Sequence, residues 1–308
     1  MPLSPRLRWQ LDRLREKTSG LFGGQKEQAR PKLCPACSQL VGATQTRCHQ
    51  CGTSLTFSVA ALGKSLAGLL PTESPVTTIV IGLNMLIFAV CLVATVQKTQ
   101  HLGLLATIDG QVLFNLGSRQ TIQIFDGEWW RLMTAVFLHA DLMHIGMNMW
   151  VLMDLGPQIE SEYGSARALF LYVSTGILGY VYSTMWDVVA HGGWGPGSVG
   201  ASGALMGLVG LMLAIATRRG GPYMREVRAR LIRWIVIIFA FGFLVGGIDN
   251  AAHFGGLLAG FVFGRFFDDR EPQSGPERKR AYLLGGIGFL MVAGSFAAMM
   301  AHYFRTVS

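Results

Sequence analysis

Charge is what this 308-residue chain has least of. Asp, Glu, Lys and Arg make up 14% of it and hydrophobic residues 51%, against roughly 25% charged in ordinary soluble domains. A soluble protein of this length needs far more charge to cover its surface, so disorder, collagen-like repeats and an all-aqueous enzyme are excluded. Cysteine is scarce outside one short stretch: four of the five lie between Cys34 and Cys51, and Cys91 sits in an apolar run, where it reads as a small buried hydrophobe. Two CxxC pairs beside basic residues indicate metal chemistry in a reducing compartment and exclude a secreted disulfide framework. No cleavable leader is expected either. Residues 1–32 are polar and basic, so the first apolar span is expected to serve as its own targeting signal.

What the chain has instead is long apolar runs. Seven of them read as membrane helices: Val76 to Val96, His144 to Ile159, Ala168 to Val189, Ala204 to Thr217, Leu231 to Gly246, Ala251 to Phe267 and Tyr282 to Phe304. The second and fourth score poorly on hydropathy alone. With a cytoplasmic N-terminus, 22 of the 26 Lys and Arg fall inside, leaving Lys98, Arg119, Arg131 and Arg305 outside. That split obeys the positive-inside rule. The net charge of +8 is therefore topological, and nucleic acid is not indicated. The expected layout is a basic arm over 1–33, a metal-binding ribbon over 34–55, a linker over 56–75, a six-span core over 76–268, and a cytosolic linker, seventh span and short tail over 269–308.

In the head, Cys34-Pro-Ala-Cys37 and Cys48-His49-Gln50-Cys51 are separated by ten residues. Each CxxC turn points two thiolates at one place, and two turns complete a tetrahedral zinc shell of Cys34, Cys37, Cys48 and Cys51. The alternative is four reduced surface thiols. His49 is a bystander, since four sulfurs already fill the shell. The alternating Arg and Leu of Met1–Lys17 fit an amphipathic helix at the lipid surface or a solvated basic arm equally well.

Polar chemistry interrupts the apolar runs at three places: His139 to Asn148, Gly200-Ala201-Ser202-Gly203, and Ala252-His253-Phe254-Gly255-Gly256. Polar groups in lipid cost free energy and are functional by default. At about 1.5 Å of helix rise per residue, Ser202 lies roughly 24 Å above Arg218. On the same rise His253 lies roughly 18 Å above Arg265, and Asn148 roughly 18 Å above Glu160. In a hydrocarbon core of about 30 Å the three can meet. The glycine-rich stretch His191–Gly203 leaves too few apolar residues after it for a full span. It is expected to dip into the membrane along a wet cavity and to place Ser202 at a helix N-terminus with its N–H unpaired. His253, Gly256, Gly260 and Gly264 fall on one helical stripe, with Gly203, Gly207 and Gly210 in reply, which permits close helix approach.

These residues resemble the rhomboid family of intramembrane serine proteases. The resemblance rests on Trp130-Arg131, the HxxxxHxxxN run ending at Asn148, Gly156 and Glu160, Gly-Ala-Ser-Gly around Ser202, and Ala-His at His253 followed by the glycine stripe. It covers about residues 75–268. It implies an all-α polytopic fold, a six-helix rhomboid core with one added C-terminal helix, in a bacterial inner membrane with the active site opening outward. It implies a Ser202–His253 dyad without a third acid and an oxyanion hole of the Asn148 amide, the His144 ring and the Ser202 N–H. Trp130, Arg131, Gly200, Gly203, Gly256 and Gly260 would support the site. Substrates would be membrane proteins whose transmembrane helix unwinds easily, and no metal would take part in cleavage. Met206 stands where some relatives carry an aromatic ring beside the histidine.

Other features read plainly. Asp249 is left out of the site because the family pattern lacks that acid, and His139 is expected to shape the outer loop. Glu160/Glu162 and Asp268/Asp269 read as solvated inner-loop charges, and Gly285, Gly286 and Gly288 as helix packing. Rival readings are a non-proteolytic client-binding relative and a membrane-tethered zinc-ribbon adaptor with a cytosolic partner. Ser202, His253 and Asn148 as mere polar joints between helices is the plainest alternative.

Overall fold

The computed structural model describes residues 31–34, 37–43, 45–52, 54–55, 74–101 and 103–307. The basic arm and most of the linker over 56–75 lie outside the described residues, and with them the choice between helix and solvated arm for Met1–Lys17. The chain separates into two compact units, residues 1–61 and 62–308.

The described residues of the first unit include a small antiparallel ladder, β1 (Lys32–Leu33) and β2 (Leu40–Val41), with Lys32 opposite Val41 and Leu33 opposite Leu40. A single bridge joins Arg47 and Ser54. Each cysteine turn closes in the same way: Ser38 N–H donates to Cys34 O at 2.9 Å, and Gly52 N–H to Cys48 O at 2.9 Å. The spacing between the CxxC pairs thus folds as two like knuckles.

The second unit is helical. The helix α1 (Pro75–Thr99) begins with Pro75, whose missing N–H costs nothing at a helix start. A segment of short helices follows, called the outer segment after the side on which the loop charges place it by expectation, made of α2 (Gly110–Asn115), α3 (Thr121–Phe125), α4 (Arg131–Thr134) and a 3₁₀ turn (Ala135–Phe137). Then come α5 (Leu142–Tyr163), α6 (Ser165–His191), α7 (Ser202–Arg219), α8 (Gly221–Val245), α9 (Asn250–Phe266) and α10 (Gly275–Val307). Every expected apolar run falls on a helix, most of them lengthened by a few residues; α8 begins ten residues before the expected Leu231, and α8 and α9 each stop one residue short of the expected Gly246 and Phe267. Three of them, α1, α6 and α10, are long and apolar enough to cross a membrane, and α4 with the 3₁₀ turn and α5 forms a fourth candidate bent by 91°. The others carry the polar load: α7 and α9 are short, at 18 and 17 residues, and α8 opens on an arginine-rich half.

Helix α7 is the most enclosed, with every residue from Gly203 to Met212 buried. It lies against α9 over glycine-on-glycine contacts. A Cβ added to Gly260 would stand 1.9 Å from Gly207 O, and one on Gly210 would stand 2.3 Å from Leu257 O. Only the absent side chains let these backbones touch. On the far side of the bundle, Cβ atoms added to Gly285 and Gly288 of α10 would meet Ala166 and Phe170 of α6 at 3.0 and 3.2 Å, whereas Gly286 faces open space.

Glu160 corrects the sequence reading. It is not a solvated inner-loop charge: it is 5% exposed. Its carboxylate accepts from Val76 N–H at 3.2 Å, Thr77 N–H at 2.6 Å and the Thr77 hydroxyl at 2.6 Å. The start of α1 presents orphan N–H donors, and a carboxylate from α5 caps them across the helix interface. Gly156 lets the two helices close, since a Cβ there would stand 2.4 Å from Thr77 Oγ1. Its neighbour Glu162 pairs with Arg219, which also reaches Asp269 at 2.8 Å. Asp268 remains 75% exposed.

Candidate active site

Ser202 is the first residue of α7 and is half-buried. The turn before it is fixed from three sides. Gly200 N–H donates to Ala135 O at 2.9 Å, the Tyr180 hydroxyl donates to Gly200 O at 2.9 Å, and Ala201 N–H reaches His139 Nε2 at 3.5 Å. Gly200 adopts φ +127°, and a Cβ on it would stand 2.6 Å from His144 Nε2. Glycine is required there twice over, by backbone conformation and by the imidazole lying against it.

His144 sits in the first turn of α5, where the Asp141 side chain caps the helix by accepting from His144 N–H at 2.8 Å. Its ring lies edge-on to His139 at 5.1 Å. One turn further along, Asn148 is 5% exposed and donates one amide hydrogen to His144 O at 3.1 Å. The second amide hydrogen is left for another acceptor.

His253 is 5% exposed, and its Nδ1 has no hydrogen-bond partner among the described residues. The ring beside it comes from α8: Phe239 stands edge-on at 6.3 Å, while Met206 is buried in α7. Next to the two key residues the helices are in backbone contact. A Cβ on Gly203 would stand 3.4 Å from Ala252 O, and one on Gly256 would stand 1.9 Å from Gly203 O.

Asp249 holds this junction together without being aimed at the imidazole's Nδ1. One carboxylate oxygen caps α9 by accepting from Ala252 N–H at 2.8 Å. The other accepts from Ser183 of α6 and Ser198 of the glycine-rich loop, each at 2.6 Å. Ser198 also pairs its backbone with Arg119 of the outer segment in both directions, at 2.9 and 3.1 Å. Arg119 in turn donates to Pro196 O at 2.7 Å and lies 3.5 Å from the buried Asp187. The loop before Ser202 is therefore tied to α6, α9 and the outer segment at once.

Sequence reasoning named Ser202, His253, His144 and Asn148 but missed the residues that fix them. The caps were legible, since Asp141 and Asp249 each stand three residues before the N–H they bind. Tyr180, Arg119 and Phe239 carried no local signal, because their partners lie 20, 79 and 14 residues away.

In the first unit, the sulfurs of Cys34, Cys37, Cys48 and Cys51 all lie within 4.8 Å of one another, with Cys34 to Cys51 and Cys37 to Cys48 each at 3.6 Å. Four sulfurs about 2.3 Å from a tetrahedral zinc would be spaced in this range. His49 is exposed and outside the cluster.

A helical membrane protein with a cluster of polar side chains among its packed helices is the class this architecture defines. The family profile described as "Rhomboid domain" matches residues 126–269. "Rhomboid protease GluP" of Bacillus subtilis is 36% identical over 151 residues, 49% of this chain and 28% of that protein. "RHOMBOID-like protein 5" of Arabidopsis thaliana is 40% identical over 154 residues, 49% of this chain and 48% of its own length. "Putative rhomboid protease YdcA" of Bacillus subtilis is 31% identical over 149 residues, 48% of this chain and 69% of its own length. This chain belongs to the rhomboid family. It spans about half or less of the first two of these relatives.

Proposed function

We propose that the protein is an intramembrane serine endopeptidase acting through Ser202 and His253. The observation that carries this reading is the contact of the α7 and α9 backbones at Gly203, Ala252 and Gly256, one residue from the hydroxyl and one from the imidazole. His253 takes the proton of Ser202 Oγ as that oxygen bonds to the scissile carbonyl carbon, and then delivers it to the leaving amine. Water next attacks the acyl-enzyme, with His253 again accepting and returning a proton. The developing oxyanion is met by the free amide hydrogen of Asn148, the His144 ring and the Ser202 N–H, donors of the kind that contribute about 10²–10³ in rate each. Among the described residues no acid is hydrogen-bonded to His253 Nδ1. The orphan Nδ1 of His253 supports a dyad, as does Asp249, whose carboxylate oxygens serve two serines and a helix cap.

In this reading all seven long helices cross the membrane, with the N-terminus in the cytoplasm of a bacterial cell and the site opening outward. Substrates are membrane proteins with a helix-destabilised transmembrane segment. The four cysteines hold a structural zinc that cross-links the two knuckles, and this head offers a surface to a cytosolic partner. Reconstituted into liposomes with a single-span substrate, the wild-type protein cleaves it and the Ser202→Ala variant, equally folded, does not. Cleavage by Ser202→Ala at the wild-type rate contradicts the reading.

A further inference from the structure

The seventh helix does more than anchor the tail, because its outer half is packed onto the segment that holds the Ser202 turn. Two contacts carry this. Phe296 of α10 lies edge-on to Phe137 at 5.8 Å. Phe137 is 1% exposed and closes the 3₁₀ turn whose first residue, Ala135, accepts the Gly200 N–H at 2.9 Å. Gly200 stands two positions before Ser202. Nearer the outer end, the His302 ring lies 5.2 Å from that of Trp130 at a tilt of 45°, and its Nε2 lies 3.6 Å from Glu128 Oε1.

Glu128 passes the contact inward. Its other oxygen accepts from Arg131 Nε at 2.7 Å. Arg131 is 3% exposed and donates to Phe114 O at 2.8 Å and Ser118 O at 3.0 Å. The next residue, Arg119, pairs its backbone with Ser198 in the loop before Ser202. The two routes from α10 therefore end at Gly200 and Ser198. Ser295 and Met299, which share this side of α10 with Phe296 and His302, are 2% and 5% exposed. A helix that only anchored a tail would need no such buried face, nor polar partners placed on it at the membrane edge.

We propose that α10 is a strut for the proteolytic site, with Phe296 and His302 as positioning residues that set the outer segment and, through it, the turn carrying Ser202. The inference rests on the protease reading above. The test uses the full chain in liposomes, measuring the rate at which a fluorophosphonate labels Ser202 and the kcat and KM for a single-span substrate. Mutations along a coupling route shift it by about 0.5–2 kcal/mol, so Phe296→Ala and His302→Ala each slow labelling and kcat about 2- to 30-fold with KM unchanged. His302→Gln, which keeps a donor for Glu128, recovers most of the loss, and Leu283→Ala on the exposed face of the same helix changes nothing. Because His302 is 39% exposed at a helix end, its replacement leaves the bundle folded. A double variant that labels and cleaves at wild-type rates overturns the strut while leaving the protease intact. Wild-type protein that never labels at Ser202 overturns both.

Discussion

A Cβ on Gly256 would stand 1.9 Å from the carbonyl oxygen of Gly203. No side chain fits between those two residues, and they flank His253 and Ser202 in sequence. The closeness of α7 and α9 is thus set by what is missing from the helices, and the site inherits its geometry from that contact.

Substituting these glycines separates packing from ordinary helix propensity. Gly256→Ala or Gly260→Ala forces the two backbones apart, a strain of about 1–3 kcal/mol or more for overpacking, and displaces His253 from Ser202. Both variants are expected to lose most labelling by a fluorophosphonate and to unfold at lower temperature. Gly286→Ala, in open space on α10, is the control and leaves both unchanged. Wild-type labelling in Gly256→Ala contradicts the packing argument.

Acid is expected to loosen the end of the bundle where Asp269 pairs with Arg218 and Arg219. Burial raises the Asp269 carboxyl, but hydrogen bonds and the Arg218 and Arg219 guanidinium groups outweigh it and hold the group below its ordinary value. A carboxyl depressed by folding adds stability that is complete above its unfolded pKa, about 3.9, and is lost as pH falls below it. Thermal unfolding followed from pH 7 downward should therefore show a steeper loss below about pH 4 in wild type than in Asp269→Asn. Parallel curves would contradict it.

The head makes a chemical prediction of its own. Purified full-length protein is expected to carry one zinc per chain by elemental analysis, and Cys37→Ser to lose it, because three thiolates and a hydroxyl hold zinc far less well than four thiolates. Labelling of Ser202 should be the same in both. Metal-free wild-type protein with four titratable thiols contradicts the zinc assignment.

How much of this was legible follows from the range of each signal. Helix positions were readable because apolar runs are local, and the α7–α9 stripe was readable because glycine at helical spacing survives in sequence. Ser202, His253, His144 and Asn148 stood out as polar groups in apolar surroundings. Glu160 was misread for the same local reason: a carboxylate near a helix end looks solvated unless the capped helix, 83 residues earlier in the chain, is known. Phe239 stands edge-on to His253 with no sign of it in the sequence, because the ring comes from α8, 14 residues away. Arg119 and Tyr180 escaped notice since their partners are distant loop carbonyls and hydroxyls. The role of α10 was hidden too, as a span of ordinary apolar residues gives no sign of what it packs against.

The most direct test of the central claim is a structure of the protein inhibited by a fluorophosphonate in lipid. Phosphorus is expected to be bonded to Ser202 Oγ, with a ring nitrogen of His253 within about 3.2 Å of that oxygen and the phosphonyl oxygen turned toward Asn148 and His144. Phosphorus on another residue, or the His253 ring turned away from a modified Ser202, contradicts it.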